Sequence, residues 1–232
     1  MKGRLPLAGI LAVGLTVAAG APSAGAATTS PCSAKKSVTL AKSSDARVYS
    51  APLVNKFGSE DALEVYGCRY ATGKVTRLAT APTTPRGLSG EEVRLARISG
   101  NFAALGITVT DGYGGGLRGT VRRVDLATGT RTDVDVCKGC KFARGGGGPA
   151  SSAFQVTDLA LRTGGRVAWI AKYAYSDAVS KENVLTYNVG RLDSRGDAVV
   201  DSGPDVQSKS LAANDSIVYW TRGGKPASTT FA

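Results

Sequence analysis

Four cysteines and a complete absence of histidine set the chemistry open to this 232-residue sequence. Cys32, Cys68, Cys137 and Cys140 form an even set. In an oxidising compartment an even count reads as two disulfides. Three connectivities are open. Cys137 and Cys140 are close enough in sequence to pair locally, which leaves Cys32 with Cys68. On a chain-entropy estimate the long loop contributes roughly 4 kcal/mol and the short one about 2 kcal/mol. Two other uses of these thiols compete. A redox Cys-x-x-Cys wants its first cysteine at a helix N-terminus, whereas Val134-Asp135-Val136 precedes Cys137 and a glycine run follows. A zinc site wants two close pairs, and Cys32 and Cys68 are far apart in sequence.

Without histidine there is no Ser-His-Asp or Cys-His catalysis, no histidine metal site and no imidazole base. Carboxylate chemistry survives. The adjacent pairs Glu60-Asp61 and Glu91-Glu92 stand in hydrophilic stretches and read as solvated turns. Adjacent residues of a strand also point to opposite faces, which makes them poor acid/base partners. Gly114-Gly115-Gly116-Leu117-Arg118-Gly119 matches the spacing of a dinucleotide loop, but β-branched Thr120-Val121 follows where a helix is required. It reads as a hairpin loop. Gly145–Gly148 followed by Pro149 reads as a linker. Ser33-Ala34-Lys35-Lys36 matches Ser-x-x-Lys without the companion Ser-Asp-Asn and Lys-Thr-Gly motifs. No cofactor, no metal and no catalytic residue is expected from these patterns.

The elements that must position any site are strands and turns. One kind of strand is short and apolar: Arg47–Tyr49, Phe102–Leu105, Arg166–Ile170 and Ile217–Trp220. A second follows the first three, at Ala62–Tyr66, Thr120–Val124 and Asn183–Tyr187. Each second strand runs into a turn, Ala71–Lys74, Ala127–Thr130 or Asp193–Asp197, in which glycine supplies a positive φ. Outer strands follow at Val75–Leu78, Arg131–Val136 and Ala198–Val200. A preceding strand recurs at Val93–Ile98, Val156–Leu161 and Val206–Leu211. The corresponding positions Val48, Ala103, Val167 and Ile217 are separated by about 55, 64 and 50 residues, the period of four-stranded propeller blades. The repeats span 37–80, 93–136, 154–203 and 206–232, and the last lacks its fourth strand. A spare segment, Ser37–Ala41, either completes the first repeat or closes a ring against the last.

The segments Val124-Asp125-Leu126-Ala127-Thr128-Gly129, Gly165–Trp169 and Ile217–Gly224 give the chain its resemblance to a known family. It resembles the secreted β-propeller-like proteins of high-GC Gram-positive bacteria, related loosely to WD40-like and TolB-like propellers. No Trp-Asp dipeptide closes a blade as in WD40 repeats. The resemblance implies an all-β, propeller-like fold of about four small antiparallel sheets, open or incomplete. A twisted β-sandwich is the alternative.

Export is the other strong reading. Lys2 and Arg4 precede an apolar stretch from Leu5 to about Ala19, and small residues at Ala24 and Ala26 mark a cut before Ala27. The apolar run is interrupted by Pro6 and falls short of the roughly 18–20 residues that span a bilayer. Thr29-Ser30-Pro31 before Cys32 is not a lipid-attachment sequence, and no second apolar span follows. Residues 1–26 therefore read as a signal peptide and 27–232 as a single secreted domain. Removing Lys2 and Arg4 from the 29 basic residues leaves 27 against 18 acidic ones. Such a surplus attracts polyanions, and no helix-turn-helix, RRM or zinc-finger pattern directs it to nucleic acid.

These readings lead to a non-catalytic binding module of the extracellular or cell-wall space. Its partner would be an anionic wall polymer or an envelope protein, met by loop residues Tyr113, Arg118, Tyr173, Tyr175 and Lys181. A propeller-type hydrolase or lyase using carboxylates or tyrosine is the alternative, and a degenerate scaffold is a third.

Overall fold

The computed structural model describes residues 32–54, 60–82, 90–110, 117–138, 154–176 and 183–232. They form four antiparallel sheets and, among the described residues, no α-helix. The first sheet contains β1 (Val38–Lys42), β2 (Ala46–Val54), β3 (Glu60–Arg69) and β4 (Val75–Pro82). The second contains β5 (Gly90–Ser99), β6 (Phe102–Thr110), β7 (Leu117–Asp125) and β8 (Arg131–Asp135). The third contains β9 (Phe154–Leu161), β10 (Val167–Ser176), β11 (Asn183–Asp193) and β12 (Gly196–Gly203), with a 3-10 turn at Thr163–Gly165. The last contains β13 (Ala212–Ala213), β14 (Ile217–Arg222) and β15 (Lys225–Thr230). In every sheet, strands adjacent in sequence are adjacent in space.

The turns are closed by the glycines that the sequence pattern singles out. Gly73 and Gly129 have φ of 64° and 89°. Each donates its N–H to the carbonyl four residues back, Arg69 and Asp125 respectively, at 2.8 and 2.7 Å. A residue with a Cβ is disfavoured at such a φ.

Alternation along the strands distributes side chains to three apolar layers. On β6, Ala103, Leu105 and Ile107 face a layer shared with Val48, Val65 and Leu78 of the first sheet. Ala104 faces the opposite layer, with Val156, Leu159, Val167 and Trp169 of the third sheet. On β10, Trp169 and Ala171 face that same layer, whereas Ala168 and Ile170 face Val218, Trp220 and Phe231 around the last sheet. This is why β6 and β10 are continuous apolar runs. They are buried on both faces, whereas β14 alternates buried Val218 and Trp220 with exposed Tyr219. Trp169 also crosses directly over its partner Gly190, where a Cβ would lie 2.2 Å from the indole ring. Among the described residues no apolar cluster joins the last sheet to the first.

The structure decides between two alternatives for the spare segment and departs from the sequence expectation elsewhere. The spare segment is β1, and it completes the first sheet by pairing Val38 with Ser50 and Lys42 with Arg47. The last sheet has three strands, but its first is Ala212–Ala213; Val206 makes only an isolated bridge to Arg222. Glu91 and Glu92 lie within β5 rather than in a turn, because the strand begins at Gly90 and pairs Glu91 with Val109.

Candidate functional site

The first strands of the sheets, β1, β5 and β9, share an irregularity. In each, one extra residue interrupts the register: Leu40 between Thr39 and Ala41, Arg94 between Val93 and Leu95, and Thr157 between Val156 and Asp158. A bulge leaves the extra residue unpaired and re-aims its side chain. Arg94 and Thr157 both line a groove of about 570 Å³ between the second and third sheets.

The rest of the groove is built from register. Lys172 on β10 stands opposite Gln155 of β9 on one side and Tyr187 of β11 on the other, and all three line the groove. Leu95 and Val156 supply its apolar surface. Ser208 and Lys209 close it from the segment before β13. That segment is anchored to both neighbouring sheets. Asp158 Oδ2 accepts the Leu211 N–H at 3.0 Å, Gln207 donates to the Thr221 carbonyl at 2.9 Å, and Ser210 Oγ accepts the Thr221 N–H at 2.9 Å.

Among the described residues the groove carries three cations, Arg94, Lys172 and Lys209, against one carboxylate, Glu92. Glu92 is paired with Arg94 at 2.6 Å, and the two side chains are 58% and 44% exposed. An ion pair that wet is worth about 0–1 kcal/mol and yields easily to a better anion. Lys172 and Lys209 have no ion-pair partner among the described residues. The lining therefore offers ammonium and guanidinium charge, an amide, two hydroxyls and a half-buried phenol ring. These groups recognise anions by charge and hydrogen bonding.

Elsewhere, paired carboxylates are occupied in holding the fold. Arg122, 2% exposed, directs all its N–H groups to Glu91 at 2.6 and 2.7 Å, Asp133 at 2.9 and 3.0 Å, and the Leu78 carbonyl at 2.7 Å. Burial by itself weakens the Arg122 cation. The two carboxylates more than reverse that and raise its pKa. Burial likewise works against the Asp133 carboxylate, and the guanidiniums of Arg131 and Arg122 outweigh it and lower its pKa. Buried Glu64 accepts from Arg77 at 3.2 Å and from the Tyr66 hydroxyl. That hydrogen bond to Glu64, reinforced by burial, pushes the Tyr66 pKa up to about 12. Among the described residues no group of acidic or cysteine side chains is arranged to hold a metal ion.

The residues expected on loops are distributed differently. Arg118 is in β7, opposite Val109, and not in a loop. Tyr173 and Tyr175 continue β10, opposite Thr186 and Val184, because the apolar alternation of that strand runs on to Ser176. The Tyr173 ring stacks on Phe154 at 5.9 Å rather than lining the groove. Tyr113 and Lys181 lie outside the described residues. Cys32 and Cys68 are bonded, with Cα atoms 5.4 Å apart. Cys137 is also disulfide-bonded, and Cys140 lies outside the described residues. The groove residues Arg94, Lys172 and Lys209 were missed by sequence reasoning. The only signal was a lone cation within an apolar run, Lys172 after Val167–Ala171.

No family model and no curated protein matches this chain.

Proposed function

We propose that the chain is a secreted, non-catalytic binding module on an open, propeller-like stack of four sheets. Its groove takes a segment of an anionic polymer of the cell wall or extracellular space. The observation that carries this reading is the groove itself, where bulged Arg94 converges with Lys172 and Lys209 around a single carboxylate. The meander order of each sheet and the three intervening apolar layers support the propeller-like architecture. Export is supported by the leader-like first residues and by the Cys32–Cys68 bridge. Among the described residues no helix is long and apolar enough to cross a membrane. That, with the bridge, is compatible with an extracellular protein.

The test is retention on immobilised polyanions of wall type, one with a phosphodiester backbone and one with a carboxylate backbone, beside a neutral glycan. Binding to a polyanion is expected at low salt. It should weaken as ionic strength approaches about 0.15 M, where screening acts beyond about 8 Å. Replacing Arg94, Lys172 and Lys209 together with alanine should abolish it. Retention that survives the triple substitution, or no retention on either polyanion, overturns the reading.

A further inference from the structure

A second cavity, also of about 570 Å³, lies beside the Cys32–Cys68 bridge and, among the described residues, shares no lining residue with the groove. Its chemistry is more uniform. Ser33, Thr39, Ser43, Ser44 and Tyr70, each bearing a hydroxyl, line it beside the cations Lys42 and Arg47, and among the described residues no carboxylate does. We propose that this cavity is a binding site for a phosphate group, independent of the groove.

The cations are positioned by different means. Arg47 is fixed. Its Nη1 donates to the Cys32 carbonyl at 2.9 Å, its Nη2 to Ser37 Oγ at 2.7 Å, and its guanidinium lies 4.6 Å from the centre of the Tyr49 ring. The Nε–H of Arg47 is buried and has no hydrogen-bond partner among the described residues. A buried donor left without an acceptor is unusual in a folded protein. Lys42, at the end of β1, is exposed and has no ion-pair partner among the described residues. Between them, Ser43 Oγ accepts the N–H groups of Asp45 and Ala46, each at 3.2 Å, which sets the turn that carries Ser44. The Cys32–Cys68 bridge ties the segment carrying Ser33 to β3, so the cavity wall is cross-linked to the sheet.

Ligand class follows from this inventory. Two positive charges with no competing carboxylate select an anion. Several hydroxyl donors around them suit an oxyanion with many acceptor oxygens, and charge-assisted hydrogen bonds of this kind are about twice as strong as neutral ones. A tetrahedral phosphate can engage both cations and the hydroxyls together. A planar carboxylate has fewer oxygens to share.

The test uses the oxidised chain in amide-resolved NMR titrations at constant ionic strength, with inorganic phosphate, glycerol phosphate and acetate in turn. The expected result is saturable shifts at Ser33, Lys42, Ser44 and Tyr70 with phosphate and little response to acetate. Saturation by glycerol phosphate as well identifies a phosphate ester as the ligand. Saturation by inorganic phosphate alone identifies the free ion. Lys42→Ala, an exposed change that leaves the rest of the spectrum in place, should weaken phosphate binding about tenfold. Arg47→Lys keeps the charge but loses the fork and should weaken it too. No shift at millimolar phosphate overturns the proposal, as do an equal response to acetate and unchanged affinity in Lys42→Ala. Shifts confined to Arg94, Lys172 and Lys209 also overturn it, while leaving the groove reading intact.

Discussion

Arg122 and Lys172 carry the same charge on neighbouring sheets, and the fold uses them in opposite ways. Arg122 is 2% exposed, and every one of its donors meets Glu91, Asp133 or the Leu78 carbonyl. Because Leu78 belongs to the first sheet and the carboxylates to the second, this single side chain fastens two sheets together. Lys172 is half-buried between Gln155 and Tyr187 and, among the described residues, meets no carboxylate. Other cations divide the same way. Arg191 and Arg195 hold Asp193, and Arg222 holds Asp201 and Asp205. Lys172 and Lys209, and Arg94 with only its exposed partner, remain available at the groove. A surplus of positive charge thus says little until the partnered cations are subtracted. On the proposed reading, what is left over marks where an anion binds.

The comparison can be broken most forcefully at Arg122. Arg122→Met should cost about 3 kcal/mol, near the lower end for a broken buried pair because Glu91 and Asp133 keep some water. Urea unfolding would measure this. Adding Glu91→Gln and Asp133→Asn to that variant should restore much of the loss, since the charges then stranded are removed. If Arg122→Met unfolds at the same urea concentration as the parent, the fastening role is wrong.

Acid should loosen a second structural cluster. Burial alone would raise the Asp193 pKa. The N–H groups of Ala232 and Arg195 and the guanidiniums of Arg195 and Arg191 outweigh that and bring it to about 2. A carboxylate depressed in the folded state stabilises it above the unfolded pKa, near 4, and loses that contribution as pH falls towards 2. The expected contribution is about 2 kcal/mol. Asp193→Asn should lower stability at neutral pH and flatten the decline between about pH 4 and pH 2. An unchanged acid-unfolding profile in that variant would count against the assignment.

The smallest effect on stability is expected at the groove. Arg94→Ala, Lys172→Ala and Lys209→Ala together should change unfolding free energy by about 0.5 kcal/mol or less each, as for surface changes without structural partners. Polyanion retention should nevertheless disappear. A large loss of stability in this variant would move these cations into the same class as Arg122 and remove the basis for the groove.

Much of the architecture was legible because its signals are local. Turn glycines at 73, 129 and 196 have the positive φ that their positions between strands call for. The bonded pair Cys32–Cys68 also matches the expectation from spacing. The site was much less legible. Glu91 looked like half of a solvated acidic turn, and Arg122 like one of two adjacent basic residues in a strand. Nothing nearby in sequence distinguishes the partnered Arg122 from the available Lys172, because Glu91 and Asp133 approach Arg122 from other strands.

By itself, the sequence determined that strands alternate, where the tight glycine turns at 73, 129 and 196 fall, that histidine chemistry is absent and that the charge is strongly positive. Each of these depends on residue type or on neighbours a few positions away. Tertiary structure alone decided that Val38–Lys42 joins the first sheet, that Tyr173 stacks on Phe154, and that Arg94, Lys172 and Lys209 share one groove. A two-residue period tells a side chain which face of its own strand it occupies. It does not say which sheet covers that face, and partners for a cation are supplied by the covering sheet.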